Sequence, residues 1–354
     1  MKVLLIETST SGHHLKYLNS LTDCSDNIAV IIPTKSESIN NKCNDIFEVF
    51  FPKRVSLWAY YEWLKNINNV IKMVNPDVIH FVYGDSIYRF FGLGLRRIAG
   101  NRKVIFTCHQ IRGGLLRNLC LKFLSLNVNV LVVHTEQLEK QLSNLKIKNV
   151  SHIEYPHFGY ELTMDSSITG MELKKKEDVP VILALGGTRY DKGLEILLES
   201  LNSINVDYQL IIAGKPEYFT EEYIRIHTSL FVDKVTYLLR FLTDEEMNLC
   251  IQYADIVVLP YRKSFNGASG PLCDGVWFRK MIIGPNHGSL GEIIKHNHLG
   301  ATFEAEDVSS LSWCIEECIC KTWEPDEMYN SYRKQLSVEA FKSRYKDLYE
   351  NSEF

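Results

Sequence analysis

Two cations stand three residues apart at the point where an apolar run gives way to a helical pattern. Residues 183–201 read LALGGTRYDKGLEILLESL, with Arg189 and Lys192 following a glycine pair that ends at Gly187. Leucines then recur at i, i+3, i+4 and i+7 from Leu194, which predicts an amphipathic helix. A helix start exposes N–H groups and carries a partial positive charge, to which two full charges are added here. The segment therefore predicts a phosphate-binding turn between a strand and a helix.

This turn differs from two well-known phosphate-binding fingerprints. Neither GxxxxGK[ST] nor GxGxxG occurs anywhere in the chain, so neither a P-loop nor a dinucleotide-binding turn is indicated. A loop with two solvated cations remains the alternative interpretation of these residues.

Short apolar runs rich in β-branched residues recur along the chain and are typical of parallel strands covered on both faces. The first half contains KVLLIE, IAVIIP, DVIHFVY, KVIFTCH and VNVLVVHT, and the second half contains VILALGG, YQLIIAG, VTYLL, DIVVLPY and MIIGPN. Helical patterns separate these runs, so the sequence predicts two successive α/β sheets. We predict a first domain over 1–165, a polar linker over 166–178, a second domain over 179–335 and a last helix over 336–354.

In open α/β sheets, ligands bind beyond the carboxyl ends of the strands, so polar stretches that follow apolar runs are candidate binding segments. Besides the opening turn, these stretches are TSTSGHHLKYLNSL (8–21), FTCHQIRGG (106–114), SFNGASGPLCDG (264–275) and GSLGEII (288–294). The alternative for each is structural: a glycine-rich turn with a helix cap, or a histidine that simply makes a hydrogen bond.

Several of these stretches resemble, in order and spacing, the second domain of glycosyltransferase family 4. The matching segments are LGGTRYDKGLEILLESL, QLIIAGKPE, FLTDEEMNLCIQYADIVVLPYR, SGPLCDG and GSLGEII. The resemblance is good over residues 180–305 and covers the first domain only in outline. It implies an α/β protein of the GT-B fold, with two Rossmann-like parallel-sheet domains facing each other across a cleft. It also implies a C-terminal helix that crosses back to the first domain, and a nucleotide-diphospho-sugar donor.

The resemblance further implies roles for individual residues of the donor site. Arg189 and Lys192 would hold the donor diphosphate, which agrees with the negative charge that develops on the leaving nucleotide. Ser269 and Gly270 would add backbone N–H groups at a helix start, and Asp274 would bind the ribose. The other implied donor contacts are Gly12, Gly187, Phe241, Gly288 and Glu292.

The reacting centre departs from the family pattern at one position. The family carries two glutamates eight positions apart in this region, and here Asn266 and Asp274 take those positions. Because an amide cannot act as a carboxylate nucleophile or base, a covalent route through Asn266 is disfavoured. His109 stands where many members of the family carry a histidine that meets the donor sugar. The acceptor-side candidates are His13, Asp85 and Arg112.

We expect neither a metal nor another cofactor. No Asp-x-Asp motif follows a strand, so the metal-dependent GT-A alternative has no ligand to offer. The nine cysteines, at irregular spacings, indicate reduced thiols. Cys314, Cys318 and Cys320 could suggest a metal site, but the first two fall on the apolar stripe of a helix and no histidine is close in sequence.

Charge is distributed unevenly along the chain. Residues 1–165 carry 19 lysine and arginine residues against 14 acidic ones, whereas residues 166–354 carry 20 against 29. Residues 86–125 hold eight basic and no acidic residues, which suggests either a solvated face or an anionic membrane surface. Nucleic acid is disfavoured as a partner because the protein as a whole is acidic and shows no nucleic-acid-binding motif. The N-terminal MKVLLIE lacks the apolar stretch of a signal peptide, so we expect a cytoplasmic protein. The basic stretch 86–125 favours peripheral binding to the inner face of the cell membrane.

We therefore predict a glycosyltransferase that moves a sugar from a nucleotide-diphosphate donor to a hydroxyl of a glycan. The acceptor is expected to be lipid-linked, the pathway to be bacterial surface-polysaccharide synthesis (O-antigen or capsule), and the outcome to be retention. Two alternatives stay open: a nucleotide-sugar epimerase of the same architecture, and a catalytically silent sugar-nucleotide-binding partner, which Asn266 would suit.

Overall fold

The structure is a computed structural model that describes residues 1–10, 13–34, 39, 43, 45–52, 54–111, 114–159, 173–265 and 267–351. The chain divides into two compact units. Unit 1 comprises Met1–Phe158 together with Ser337–Phe354, and unit 2 comprises Gly159–Leu336. The last stretch of the chain is therefore part of the first unit.

Thirteen strands and thirteen α-helices are present in the described residues. The strands are β1 (Lys2–Ile6), β2 (Asn27–Ile32), β3 (Asp45–Glu48), β4 (Val78–Phe81), β5 (Lys103–Cys108), β6 (Val130–Val133), β7 (Val150–His152), β8 (Val181–Leu185), β9 (Gln209–Ala213), β10 (Val235–Leu238), β11 (Ile256–Val258), β12 (Met281–Pro285) and β13 (Gly300–Phe303). The helices are α1 (His13–Leu21), α2 (Leu57–Val74), α3 (Leu95–Ala99), α4 (Leu115–Ser125), α5 (Glu136–Asn144), α6 (Leu194–Leu201), α7 (Glu221–His227), α8 (Asp244–Tyr253), α9 (Gly270–Trp277), α10 (Gly288–His296), α11 (Val308–Ile319), α12 (Glu327–Gln335) and α13 (Val338–Glu350).

Each unit is built on one parallel sheet. Unit 1 has the strand order β3-β2-β1-β4-β5-β6-β7, and unit 2 has the order β10-β9-β8-β11-β12-β13. Every strand pair is parallel; β1, for example, pairs with β2 from Lys2↔Asn27 to Ile6↔Ile31. The predicted pair of Rossmann-like parallel-sheet domains is thus confirmed. In each sheet, successive strands are added first on one side of the unit's first strand and then on the other. Ligands bind at this switch point in such folds.

Three strands were not predicted from an apolar run, and all three lie at the edge of a sheet. These are β3 and β7 in unit 1 and β13 in unit 2. The side chains of β3 are mostly exposed and those of β7 are half-buried, whereas all five residues of the central strand β8 are buried. An edge strand has one neighbour and often one wet face, so it lacks the continuous apolar run of a central strand.

The helices cover the sheets through apolar stripes at helical spacing. In α2, the hydroxyl of Ser56 caps the first turn by accepting from the backbone N–H of Ala59, and the core-facing stripe includes Trp63, Ile67 and Ile71. At 18 residues, α2 is the longest helix among those described. Throughout the ranges given above, no helix has both the length and the apolar character needed to cross a bilayer.

A buried chain of hydrogen bonds ties α13 to the sheet of unit 1. His134 Nδ1 donates to Ile153 O at 2.7 Å, so its Nε2 accepts from the Tyr17 hydroxyl at 3.0 Å. The Tyr17 oxygen then accepts from the Tyr345 hydroxyl at 2.5 Å, and the Tyr345 oxygen accepts from Thr107 Oγ1 at 3.2 Å. Each hydroxyl in the chain has one assigned direction, so removing one of them leaves its neighbours unsatisfied.

The same chain continues to the end of α13. Because Thr107 Oγ1 donates to Tyr345, it accepts from His80 Nε2 at 2.8 Å, and His80 Nδ1 accepts from the Tyr349 hydroxyl at 2.8 Å. Burial lowers the pKa of His80 to about 3, so the ring stays neutral and keeps this tautomer. The last helix is therefore held by specific polar contacts as well as by apolar packing.

Candidate functional site

Glycines shape the turn after β8. Gly186 (φ 115°) and Gly193 (φ 61°) have a positive φ, which residues with side chains rarely adopt. A Cβ at Gly193 would lie 2.1 Å from the carbonyl oxygen of Pro260, and a Cβ at Gly187 would lie 2.9 Å from Glu217 Oε1. The turn is therefore packed directly against the loops that follow β11 and β9.

Lys192 ends a short 3-10 turn, Tyr190–Lys192, and lies against two aromatic rings. Its Nζ is 3.8 Å from the ring centroid of Tyr261 and 4.7 Å from that of Phe265. Within the described part of the chain, this ammonium group has no ion pair and no side-chain hydrogen bond. Desolvation by burial, together with the nearby Arg189 charge, lowers the pKa of Lys192 to about 7. The turn thus holds a half-buried cation in a setting that an incoming anion would stabilise.

Arg189 is oriented by its own turn. Its Nε donates to Asp191 Oδ1 at 2.9 Å and its Nη2 donates to Asp191 Oδ2 at 2.7 Å. These hydrogen bonds raise the pKa of the guanidinium group further above its ordinary value. The side chain is about half exposed, and the fork uses two of its five N–H groups. Three N–H groups of Arg189 are therefore not used by Asp191.

The turn after β8, residues 186–193, is called the lysine turn below. Arg262, the arginine of LPYR, connects the lysine turn to the loop after β11. Its backbone N–H donates to Asp191 O at 3.0 Å, and its guanidinium carbon lies 4.1 Å from the Tyr190 ring centroid. Its Nη2 pairs with Glu195, and its Nη1 lies 3.5 Å from Glu306 Oε1. Arg262 was not among the predicted site residues, although it belongs to the matching segment that ends in LPYR.

Tyr261 and Ser269 connect the start of α9 to the lysine turn. Ser269 is the N-cap of α9, and its Oγ accepts from the Leu272 N–H at 3.4 Å. The Tyr261 hydroxyl lies 3.3 Å from the same oxygen, while the Tyr261 ring contacts Lys192. Tyr261 is a site residue that the sequence analysis missed; its only signal was an aromatic side chain directly after an apolar strand. Together with Gly187 and Lys192, Tyr261 borders a small cavity of about 30 Å³.

The other predicted donor contacts of unit 2 lie in three loops. Gly270 is the first residue of α9, and the half-buried Asp274 lies one turn later. Gly288 begins α10 with φ 67°, and Glu292 is exposed one turn further on. Phe241 follows β10 with its side chain 78% exposed. Since the strands are parallel, these loops share one edge of the sheet with the glycine turn.

Some predicted residues cannot be placed. Gly12, Arg112 and Asn266 lie outside the described residues. His13 is the first residue of α1, and its side chain is not described. Their predicted roles stay predictions.

In unit 1, an acidic residue directly follows β1 at the switch point of the sheet. One oxygen of Glu7 accepts from the N–H groups of Thr8 at 2.7 Å and Ser9 at 3.0 Å, and pairs with His14 Nδ1 at 3.1 Å. The other oxygen, Oε2, is buried and has no hydrogen-bond partner among the described residues. Glu7 was not among the predicted site residues; its signal in the sequence is a charged side chain at the end of the apolar run KVLLIE.

His109 and Asp85 meet at the ends of β5 and β4. The backbone N–H groups of His109 and Gln110 donate to the two Asp85 carboxylate oxygens at 2.8 and 3.0 Å. His109 Nε2 donates to Val82 O at 3.1 Å, and its ring stacks on Tyr83 with 4.3 Å between centroids. Burial raises the pKa of Asp85 to about 7. Asp85 thus orders the backbone that carries His109.

No group of three or more histidine, cysteine, aspartate or glutamate side chains could hold a metal ion in the part of the chain that the structure describes. All nine cysteines are free thiols. Cys314 and Cys318 lie on α11 in the apolar core of unit 2, as their helical spacing predicts.

Known proteins resemble this chain in two ways: a family model matches the second unit, and solved structures match the whole fold. Residues 170–335 match the family model described as "Glycosyl transferases group 1". A search of curated protein sequences found no match.

Among solved structures, Anabaena HepE in complex with UDP and glucose matches with a TM-score of 0.73 and 13% identity, over 98% of this chain and 99% of that chain. Sucrose-phosphate synthase from Thermosynechococcus elongatus matches with a TM-score of 0.75 and 15% identity, over 98% of both chains. The apo form of the lipopolysaccharide outer core galactosyltransferase WaaB matches with a TM-score of 0.73 and 12% identity, also over 98% of both chains.

At these identities the structural likeness establishes the fold, while the family match covers unit 2 almost entirely. The chain therefore has the GT-B fold of two Rossmann-like parallel-sheet domains, and its residues 170–335 are similar to the group 1 glycosyl transferases.

Proposed function

We propose that this protein transfers a sugar from a nucleotide-diphosphate donor to a hydroxyl group of a glycan, in the manner of glycosyltransferase family 4. The observation that carries the proposal is the Lys192 ammonium group, which lies beside Arg189 at the edge of the sheet without a carboxylate partner in the described residues. UDP and glucose in the HepE structure support a nucleotide-sugar donor for this fold.

The donor diphosphate would bind at the lysine turn. Lys192 and Arg189 would stabilise the charge that builds up on the leaving nucleotide, acting from positions set before the reaction. The backbone around Gly187 and the N–H groups at Ser269 and Gly270 would add neutral donors. These groups form a compact set, because Tyr261 links Lys192 to Ser269.

The remaining donor contacts follow the predicted roles. Asp274 would accept hydrogen bonds from the ribose, Phe241 would stack on the base, and Gly288 with Glu292 would contact the sugar; the resemblance adds His109 and Gly12. The exposed ring of Phe241 suits stacking, because a base would bury apolar surface that is now in water.

The reaction is proposed to need no metal, because two cations of the chain itself supply the positive charge. We expect turnover to persist in excess EDTA. Loss of turnover in EDTA, with recovery on adding Mg²⁺ or Mn²⁺, would contradict this part of the proposal.

The stereochemical outcome is proposed to be retention by a front-face displacement, in which the leaving phosphate takes the acceptor proton. This route needs no carboxylate at position 266, where the chain has asparagine. NMR assignment of the anomeric configuration of the product tests it, and an inverted linkage rules it out.

The acceptor is proposed to be a lipid-linked glycan at the inner face of the membrane, in polysaccharide synthesis. Support comes from α4, where Leu115, Leu116, Leu119 and Phe123 are exposed next to the basic residues of 86–125. Co-sedimentation with vesicles containing anionic lipid should weaken in the double variant Leu115→Ser, Leu116→Ser. The control Leu230→Ser removes an equally exposed leucine from unit 2. No vesicle binding by the unmodified protein would refute the membrane proposal, and equal binding by all three proteins would show that α4 is not the membrane-binding element.

The decisive experiment for donor binding is thermal stabilisation by a panel of nucleotides and nucleotide sugars. At least one nucleoside diphosphate should raise Tm, and Lys192→Ala should abolish that rise. Lys263→Ala is the matched control, because Lys263 is an exposed lysine of the same unit. A rise that survives Lys192→Ala, or no rise with any nucleotide, would overturn the donor site.

Product analysis then separates glycosyl transfer from its rivals. Incubating the donor alone should give slow hydrolysis and no new nucleotide sugar. An isomerised donor would indicate an epimerase, and a donor left intact with every acceptor would indicate a silent binding partner.

A further inference from the structure

A second, larger cavity lies within unit 1, at the carboxyl end of β4. Its volume is about 780 Å³, which is in the range of sites that hold small-molecule ligands. It is bordered by Phe51, Arg54, Val55, Ser56, Tyr83, Asp85, Ser86, Tyr88, Arg89, Gln110 and Arg117. Asp85 and Gln110 place it directly beside the backbone that carries His109.

Three arginines and one acidic residue, Asp85, border this cavity. Arg54 and Arg89 have no ion pair with any described residue, and Arg89 is oriented by donating to the carbonyl oxygen of Val55. The carboxylate of Asp85 is committed to the backbone N–H groups of His109 and Gln110, and it forms no ion pair with an arginine among the described residues. Arg54 and Arg89 therefore bring two positive charges to the cavity, and no carboxylate of the described residues pairs with them.

Guanidinium groups suit one class of ligand in particular. Their planar fork matches the geometry of phosphate and carboxylate, and a hydrogen bond in which both partners are charged is stronger than one between neutral groups. A neutral sugar would offer only hydroxyls to these cations. The volume exceeds that of a bare anion and leaves room for a sugar attached to it.

We propose that this cavity binds an anionic group of the acceptor, a phosphate or a carboxylate attached to a sugar, and that Arg54 and Arg89 hold it. The inference rests on the proposed function, because it gives the glycan acceptor a chemical class. It requires a charged acceptor and not simply any glycan.

The test uses three small probes in the presence of saturating UDP, so that the lysine turn of unit 2 is occupied. Ligand-observed NMR titrations compare glucose 1-phosphate, glucuronic acid and methyl glucoside. We expect at least one of the two anions to bind, and methyl glucoside to bind more weakly than that anion. Tighter binding of glucose 1-phosphate indicates the phosphate end of a lipid-linked sugar, and tighter binding of glucuronic acid indicates an acidic sugar in the glycan.

Two variants and a control locate the binding. Arg54→Gln should raise the Kd of the bound anion about fivefold, and Arg89→Gln should do the same. Arg54 makes no hydrogen bond within the described residues, so Arg54→Gln should leave the fold intact. Arg89→Gln removes the hydrogen bond to Val55, so Arg54→Gln remains informative if Arg89→Gln fails to fold. Arg96→Gln removes the same charge from an exposed position of unit 1 outside the cavity and should leave the Kd unchanged.

The inference is overturned by anions that bind no better than methyl glucoside, or by a Kd that responds equally to Arg54→Gln and Arg96→Gln. UDP binding, measured in the same samples, keeps this result separate from the proposed function. If UDP binds and the anions do not, only the anionic acceptor is excluded. If UDP does not bind, the titrations use the nucleoside diphosphate that raises Tm instead, and the donor site itself is wrong if none does.

Discussion

Binding of a nucleoside diphosphate should depend on pH through Lys192. In the free protein the pKa of this lysine is about 7, against an ordinary value of 10.5, because its ammonium group is desolvated and lies near Arg189. A diphosphate against Nζ favours the charged form and returns the pKa towards its ordinary value. Binding is therefore accompanied by proton uptake, and it weakens as the pH rises through the pKa of the free protein.

The magnitude follows from the two protonation states. From pH 7 to pH 9 the charged fraction of free Lys192 falls from about one half to about one hundredth, so the Kd for UDP should rise by at most about fiftyfold. The uptake should be about half a proton per UDP at pH 7 and about 0.9 at pH 8. The terminal phosphate of UDP loses its last proton near pH 6, so it contributes little over this range.

Isothermal titration calorimetry measures both quantities, with each pH studied in two buffers of different ionisation enthalpy. Lys192→Arg is the matched variant, since arginine stays charged through pH 9 and should show neither the rise in Kd nor the proton uptake. A Kd that is flat from pH 7 to pH 9 in the unmodified protein would refute the reasoning, as would an identical slope in Lys192→Arg.

Two further predictions concern stability. Tyr345→Phe should lower the free energy of unfolding in urea by about 1–3 kcal/mol, because it removes the hydroxyl that joins the buried side chains of Tyr17 and Thr107. Tyr61→Phe, at an exposed tyrosine, is the control. Equal losses in the two variants would contradict the chain of hydrogen bonds. Gly193→Ala should lower Tm and weaken UDP binding more than Gly186→Ala does. A positive φ strains both alanines, but only the Cβ at position 193 would also meet the carbonyl oxygen of Pro260, whereas a Cβ at Gly186 meets nothing within 4 Å. Scanning calorimetry with UDP titration tests the difference, and the reverse order would show that backbone strain at Gly186 outweighs the clash at Gly193.

Much of this protein was readable from local pattern alone. Continuous apolar runs identified the central strands, since a strand that is buried on both faces must be apolar along its length. The leucine spacing after Lys192 identified α6, and the glycines before it identified a turn that requires positive φ. The loops after the strands could be named as binding segments because parallel strands bring their carboxyl ends to one edge.

Other features depend on partners that are distant in sequence. The edge strands β3, β7 and β13 carry no continuous apolar run, so only their pairing in the sheet defines them. Phe241 and Glu292 were assigned by resemblance, and their burial could not be inferred from the chain: both are exposed. Asp85 was named as an acceptor-side residue, yet both of its oxygens hold the backbone at His109 and Gln110.

For this protein, the sequence by itself determined the two-sheet fold and the residue types at the lysine turn. Only the tertiary structure decided which of those charges are partnered. Arg189 bonds to Asp191 in its own turn, whereas Lys192 lies on the ring of Tyr261, which belongs to the loop after β11. The physical reason is that fold class follows from local hydrophobic periodicity, while the charge state and pairing of a side chain depend on burial among residues that are distant in sequence.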